Sequence, residues 1–203
     1  MRKPTVTFFR SAAAPAQFPS DGLPEVAFLG RSNVGKSCLL NALCGARGLA
    51  RVSSQPGRTR LVNFFRVAGS SSFYLADLPG YGFARVPRTV RASWERLVTS
   101  YLEGREALAL CVFLVDARHD PMPGDETLKG YLDQLELPYV LAATKADKLG
   151  RGAVSRRRQA LVGGLGSQAR EVVTVSAVTG DGTQELWKTI CAAARERATL
   201  TVG

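Results

Sequence analysis

Apolar residues recur along this chain with two alternating periods. Residues 25–29, Glu-Val-Ala-Phe-Leu, form a short apolar run of the buried-strand type. Residues 38–43, Cys-Leu-Leu-Asn-Ala-Leu, carry apolar side chains at helical spacing, which predicts a helix near 36–45 with Gly45 as its stop. Residues 61–67 read as a strand, 68–72 as a hairpin turn and 73–77 as the returning strand. Val90, Trp94, Leu97, Val98 and Tyr101 share one face of a helix near 88–103, which Gly104 ends. Residues 108–115 are almost wholly apolar, the mark of a central strand covered on both faces. A helix near 124–135, a strand near 138–144, a helix over 153–163 with Ser155 as its cap, a strand over 171–175 and a helix over 181–197 complete the alternation. Ahead of them, residues 5–10 read as an added strand, followed by a proline-punctuated loop to Pro24. Strands alternating with helices predict a three-layer α/β/α sandwich.

Between the first of these strands and its helix lies Gly30-Arg31-Ser32-Asn33-Val34-Gly35-Lys36-Ser37, which fits the phosphate-loop pattern G-x-x-x-x-G-K-[ST] in its required strand–loop–helix context. Gly30 and Gly35 let the backbone curl so that successive N–H groups point inward, at a helix start whose dipole favours anions. Lys36 can place an ammonium on the outer phosphates, and the Ser37 hydroxyl can bind the Mg2+ that phosphates carry. The chain is therefore expected to be a P-loop NTPase of the Ras-like G-domain type. Its sheet is expected to be six-stranded and mostly parallel with one antiparallel edge strand, residues 25–203 being one domain and 1–24 an N-terminal strand and loop packed on it.

Thr144-Lys145-Ala146-Asp147, at the end of a predicted strand, separates guanine from adenine. A carboxylate there can accept two hydrogen bonds from the N–H and NH2 edge of guanine, an edge that adenine lacks. The Lys145 stem can lie over the base. Val175-Ser176-Ala177 also closes a strand, where a backbone N–H can meet the guanine carbonyl oxygen. Asp77-Leu78-Pro79-Gly80 supplies the rest: Asp77 can hold the Mg2+ shell and the Gly80 N–H can contact the terminal phosphate. Gly57, Arg58 and Thr59 lie in the loop before strand 61–67. Thr59 is the candidate second hydroxyl on Mg2+ or, equally, a solvated loop residue. Lys36, Thr59, Gly80 and Asn33 are the candidates for a direct part in catalysis.

Composition narrows the partners. The chain has 203 residues and a formal net charge of +10. Its charge is uneven: residues 51–105 hold nine arginines against Asp77, Glu95 and Glu103, and Arg156-Arg157-Arg158 form a second basic run, whereas 106–144 are net acidic. Either a polyanionic partner or solubility alone explains this pattern. The four cysteines are dispersed, with no C-x-x-C pair, and His119 is the sole histidine, so neither a zinc cluster nor a histidine triad is available. No apolar run reaches the roughly 18 residues of a membrane span, and the spacing before Arg10 is too short for a secretory core. A cytoplasmic protein is expected.

The segments resemble TRAFAC-class GTPases, and their wording is similar to the EngB family of bacterial ribosome-assembly GTPases. Gly30–Ser37, Gln55-Pro-Gly-Arg-Thr59, Leu61-Val-Asn-Phe-Phe65, Asp77-Leu-Pro-Gly-Tyr-Gly-Phe83, Val115-Asp-Ala-Arg-His119 and Thr144-Lys-Ala-Asp-Lys-Leu149 carry the resemblance across nearly the whole chain. Cys38 stands where that family usually has serine. The resemblance implies binding of GTP and GDP with Mg2+, slow GTP hydrolysis, and a switch in assembly of the large ribosomal subunit. It also implies the subunit's rRNA as partner, a role in normal cell division, a monomer and no membrane. Asn33, with no catalytic glutamine, also resembles potassium-activated GTPases, so K+ is a candidate cofactor; the alternative is that Asn33 only hydrogen-bonds the loop. Tyr81 stands where Ras-like proteins place the water-orienting glutamine. It either marks slow turnover or is a packing residue. Two other classes stay open on the residues alone: an ATP-dependent P-loop enzyme, and a ribosome- or RNA-binding module whose nucleotide is structural.

Overall fold

Among the described residues, seven strands form one sheet in the order β1-β3-β4-β2-β5-β6-β7. The computed structural model describes residues 5–46, 48–50, 61–69, 71–81 and 88–201, with side chains in the helix that starts at Arg88 described from Glu95 onward. The strands are β1 (Thr5–Ala12), β2 (Glu25–Gly30), β3 (Val62–Ala68), β4 (Phe73–Asp77), β5 (Leu108–Asp116), β6 (Tyr139–Thr144) and β7 (Glu171–Thr174). The helices are α1 (Lys36–Cys44), α2 (Arg88–Gly104), α3 (Pro123–Gln134), α4 (Arg151–Gly163) and α5 (Thr183–Thr201). β4, β2, β5, β6 and β7 run parallel, so their carboxyl ends gather on one edge of the molecule.

The expected six-stranded sheet gains a seventh strand at its antiparallel margin. β3 pairs antiparallel with β4, and the N-terminal β1 pairs antiparallel with the other side of β3. Aromatic residues of β3 and β4 explain the addition: Phe8 sets its ring edge-on against Phe65 of β3 at 5.8 Å, and Phe9 meets Tyr74 of β4 at 5.1 Å. A bulge between Phe8 and Arg10 shifts the register of the pair.

Alternation along the central strands builds two cores. Ala27, Leu29, Cys111, Phe113, Tyr139 and Leu141 face α2, α3 and α4. Val26, Phe28, Leu110, Val112, Val140 and Ala142 face α1 and α5. A strand apolar at every position is the consequence of helices on both faces. α4 begins at Arg151, with Gly150 in extended conformation before it, so Ser155 lies inside the helix and is not its cap. The helix begins two residues earlier than expected because the Gly150 carbonyl accepts from both Ala153 N at 2.9 Å and Val154 N at 3.0 Å. Its glycine-rich end is tight: a Cβ on Gly166 would lie 2.4 Å from Val172 Cγ2, and Tyr139 donates to the Leu165 carbonyl at 3.0 Å.

At the opposite end from the strand carboxyl termini, Glu25 is fully buried. Tyr101 Oη donates to its Oε2 at 2.7 Å, Arg105 Nε donates to the same oxygen at 2.9 Å, and a second Arg105 nitrogen donates to Oε1 and to the Pro19 carbonyl. Arg105, one of the nine arginines of the basic segment, is thus spent inside the fold. A buried carboxylate stripped of its cation is costly. Arg105→Ala is expected to lower unfolding stability by about 3 kcal/mol, measured by urea denaturation, and a loss near that of an exposed pair would contradict the arrangement.

Candidate functional site

The loop between β2 and α1 lies at the gathered strand ends. Its conformation follows from two residues in the left-handed region, Asn33 at φ 62° and Gly35 at φ 106°. Gly35 occupies the position before α1 and no side chain caps the helix. The first-turn amides of Lys36, Ser37 and Cys38 have no intrahelical acceptor, so they suit an anion. Gly30, Arg31, Ser32 and Val34 complete the turn, Val34 N donating to Arg31 O at 3.2 Å.

Lys36 and Asp77 are both nearly buried and form an ion pair. The pair brings together two of the predicted residues from β4 and the loop. Oxygen donors on Ser37 and Asp77 fit a hard cation such as Mg2+; among the described residues no cluster of three or more His, Cys, Asp or Glu could hold a metal without the help of phosphates. Leu78 N donates to Phe28 O at 3.2 Å, fixing the start of the Leu78-Pro79-Gly80 turn beside β2. Gly57, Arg58 and Thr59 lie outside the described residues.

The guanine segment sits across from the loop. Thr144 Oγ1 lies 2.6 Å from the Val34 carbonyl and 3.0 Å from that of Val115, and its single proton serves between them. Lys145, left-handed at φ 60°, donates from Nζ to the Asn33 carbonyl at 2.7 Å and to Asp116 Oδ2 at 2.9 Å. Its stem passes Gly35, where a Cβ would lie 3.8 Å from Lys145 Cε. Ala146 N donates to the Val175 carbonyl at 3.2 Å, joining the segment to the end of β7. Ser176 Oγ donates to Asp147 Oδ1 at 2.7 Å. That hydrogen bond is the chief reason the Asp147 carboxyl is held below its ordinary range, against a smaller opposing effect of burial. The Ser176 amide donates to Asp181 O, and the Ala177 amide has no acceptor among the described residues. Ala177 is therefore the amide of that pair able to meet a guanine carbonyl.

Three contacts were not read from the sequence. Asp116, inside a quoted segment but without a role, anchors Lys145. Burial pushes its carboxyl up, but hydrogen bonds from Arg118 and Lys145 outweigh that and hold it well below the usual carboxylate range. The Ser176 hydroxyl bonds the Asp147 carboxylate. Asp125, on α3, accepts the Tyr81 hydroxyl at 2.5 Å. Burial, and after it this carboxylate, push the Tyr81 phenol far above its ordinary value, so it stays a donor. No local motif marks any of the three, because each partner comes from a distant strand end or helix start.

A phosphate loop, a lysine–aspartate pair beneath it and a serine-buttressed aspartate on a parallel sheet together define a P-loop GTPase. Residues 25–145 match the family described as "50S ribosome-binding GTPase". The chain belongs to the EngB family of GTPases, which bind guanine nucleotide. It is 44% identical over 190 residues to the "Probable GTP-binding protein EngB" of Syntrophus aciditrophicus (strain SB), covering 94% of this chain and 95% of that one. It is 46% identical over 183 residues to the protein of the same description from Solibacter usitatus (strain Ellin6076), covering 90% and 93%. Among solved structures, a crystal structure of a probable GTP-binding protein engB superposes with TM-score 0.68 at 24% identity, covering 85% of this chain and 99% of that one. Era in complex with MgGDPNP and nucleotides 1506–1542 of 16S ribosomal RNA superposes with TM-score 0.72 at 27% identity, over 83% of this chain and 55% of that one.

The guanine corner generates two linked predictions. Asp147→Asn is expected to weaken GTP binding by about an order of magnitude or more and to gain xanthosine triphosphate, whose carbonyl can accept from the new amide; unchanged GTP affinity in a fluorescent-nucleotide titration would refute the role. Ser176→Ala removes the bond that favours the ionised Asp147. Its carboxyl then rises toward its ordinary value, and the fall in GDP affinity on acidification is expected to begin at higher pH than in the wild type. Superimposable pH profiles would show that Ser176 does not act through Asp147.

Proposed function

We propose that this protein binds GTP with Mg2+, hydrolyses it slowly, and acts as a switch in assembly of the large ribosomal subunit, with a consequent role in normal cell division. The observation that carries this reading is the match of residues 25–145 to a 50S ribosome-binding GTPase, on a chain of net charge +10. Era, a structural neighbour above 25% identity, was itself solved with ribosomal RNA. The reading takes residues 25–203 as one G domain, 1–24 as its accessory strand and loop, and the protein as a cytoplasmic monomer. Among the described residues no helix is long and apolar enough to cross a membrane.

In this reading the amides around Gly30–Ser37 and the ammonium of Lys36 hold the phosphates. Ser37, Asp77 and Thr59 supply oxygens to Mg2+, which neutralises charge on the phosphates when bound. Gly80 donates to the terminal phosphate, with Gly57 and Arg58 in the loop beside it. Asp147, Lys145, Ala146, Thr144, Val175, Ser176 and Ala177 hold the base. Slow turnover follows from Tyr81: its hydroxyl is committed to Asp125, so it cannot orient a water as a glutamine would. Asn33 supports a K+ requirement, because its carbonyl serves Lys145 while its side chain makes no hydrogen bond among the described residues. A monovalent cation there can offset charge developing between the phosphates, as an arginine finger does.

The arginines of 51–105 near the phosphate-sensing loops, most of which lie outside the described residues, and the basic run on α4 are the candidate rRNA contacts. On α4, Arg151 and Arg156 are exposed, while Arg157 is partly engaged with Asp120 at 2.6 Å and Arg158 with the Val172 carbonyl at 2.8 Å. Arginine suits phosphate because its planar fork makes paired hydrogen bonds.

Co-sedimentation with large subunits tests the switch. Binding is expected to be tighter with a non-hydrolysable GTP analogue than with GDP and to weaken as salt rises. Arg85→Ala with Arg88→Ala is expected to reduce pelleting and leave GTP affinity nearly intact. Equal pelleting with both nucleotides, together with no single-turnover hydrolysis on subunits, would instead favour a binding module with structural nucleotide. Faster hydrolysis in potassium than in sodium is the expected sign of the Asn33 cation, and equal rates with subunits present would exclude it.

A further inference from the structure

Tyr81 stands where three elements meet. Its backbone is laced along the phosphate loop: Tyr81 N donates to Gly30 O at 3.2 Å, and its carbonyl accepts from Ser32 N at 3.0 Å and Ser32 Oγ at 3.1 Å. These bonds make an isolated parallel bridge between Arg31 and Tyr81, one residue beyond the end of β2. Its side chain reaches the other way, to α3. The hydroxyl donates to Asp125 Oδ1 at 2.5 Å, and Asp125 Oδ2 accepts the Met122 N–H at 2.8 Å, so the carboxylate is fixed by the helix start itself. Asp125 is 3% exposed and has little freedom to turn away. The ring lies on Gly124, where a Cβ would come within 3.2 Å of Tyr81 Cε2.

The residue just before Tyr81 is held by consequence. Gly80 is buried, and a Cβ on it would lie 3.0 Å from Ser32 N and 3.1 Å from Gly30 O. Its amide has no acceptor among the described residues. A buried N–H without an acceptor is unfavourable, and an arriving anion relieves it. That N–H belongs to the Pro79–Gly80 peptide, and only the φ and ψ of Gly80 separate it from the Gly80–Tyr81 peptide, whose N–H is bonded to Gly30 O, so its direction follows from what Tyr81 is tied to.

We propose that Tyr81 and Asp125 form a clamp that aims the Gly80 amide at the terminal phosphate, and so strengthens the hold of the site on the triphosphate without affecting the diphosphate. Tyr81 and Asp125 are positioning residues in this account, since neither touches the nucleotide. The proposal rests on the reading of Gly80 given above. Its discriminating feature is chemical: GDP lacks the phosphate that Gly80 would meet, so loss of the clamp is felt by the triphosphate alone. A mere loss of packing would weaken both nucleotides together.

Tyr81→Phe keeps the ring on Gly124 and removes only the donor. Affinities of the full chain for a fluorescent non-hydrolysable GTP analogue and for GDP are to be measured in wild type, Tyr81→Phe, Asp125→Asn, the double variant and Gly80→Ala, with thermal unfolding followed in each. The expected result is about a tenfold loss for the analogue in Tyr81→Phe with GDP affinity held within about twofold. Asp125→Asn is expected to add no further loss in the Tyr81→Phe background, because the two act through one bond. Equal losses for the analogue and GDP, or no loss for either, would overturn the clamp while a selective loss in Gly80→Ala left the Gly80 reading standing. If Gly80→Ala binds the analogue as wild type does, both readings fall.

Discussion

A loop that turns its amides inward to meet phosphate turns its carbonyls outward, and those carbonyls need donors. Most of this site is built to supply them. Gly30 O accepts from the Tyr81 amide, Arg31 O from Val34, Asn33 O from the Lys145 ammonium, Val34 O from the Thr144 hydroxyl and Gly35 O from the third residue of α1 beyond the lysine, Leu39. Three of the five donors come from segments far along the chain. The left-handed conformations of Asn33 and Gly35 persist because these distant groups hold the loop from outside. The segment proposed to hold guanine therefore also shapes, through Thr144 and Lys145, the loop proposed to cradle the phosphates.

The sheet makes that convergence cheap. Gly30, Asp77, Asp116, Thr144 and the residues after Thr174 are all terminal residues of neighbouring parallel strands, so no long loop is needed to bring them together. The same sheet carries a second polar anchor at its other edge. Glu25 opens the strand that Gly30 closes, and it is locked to Tyr101 and Arg105 at the end of α2. α2 begins just after the segment that would sense the terminal phosphate. The far end of α2 is thus tethered to the N-terminal end of the central strand.

Contiguous motifs made the phosphate loop, the guanine segment and most strands legible in the sequence, because each is a local pattern with a local reason. Boundaries moved where the local apolar pattern did not decide them: β1 joined the sheet because β3 offered Phe65 and an open edge, and α4 began at Arg151, two residues ahead of the expected start. The partners that orient the site were not legible. Asp116 for Lys145, the Ser176 hydroxyl for Asp147 and Asp125 for Tyr81 are each joined across at least 29 residues, and nothing in a carboxylate's neighbours along the chain says which distant donor it will accept. Charge was legible as a total but not as an assignment. Arg105 and Arg66 look alike in a count, yet one is sealed against Glu25 while the other is exposed.

The Lys36–Asp77 pair bears on how such a site can take up a highly charged ligand. Each group is nearly dry, and an isolated charge in that setting would be costly. Paired, they cancel. A nucleotide held with magnesium as proposed would present an anion to the lysine and a cation to the carboxylate, so that binding would exchange ionic partners without stranding either one. The desolvation of both side chains is already met in folding, and the incoming phosphates and metal must shed only their own water. On this argument the buried pair is less a stabilising contact than a preset polarity, positive at the phosphate loop and negative at the end of β4.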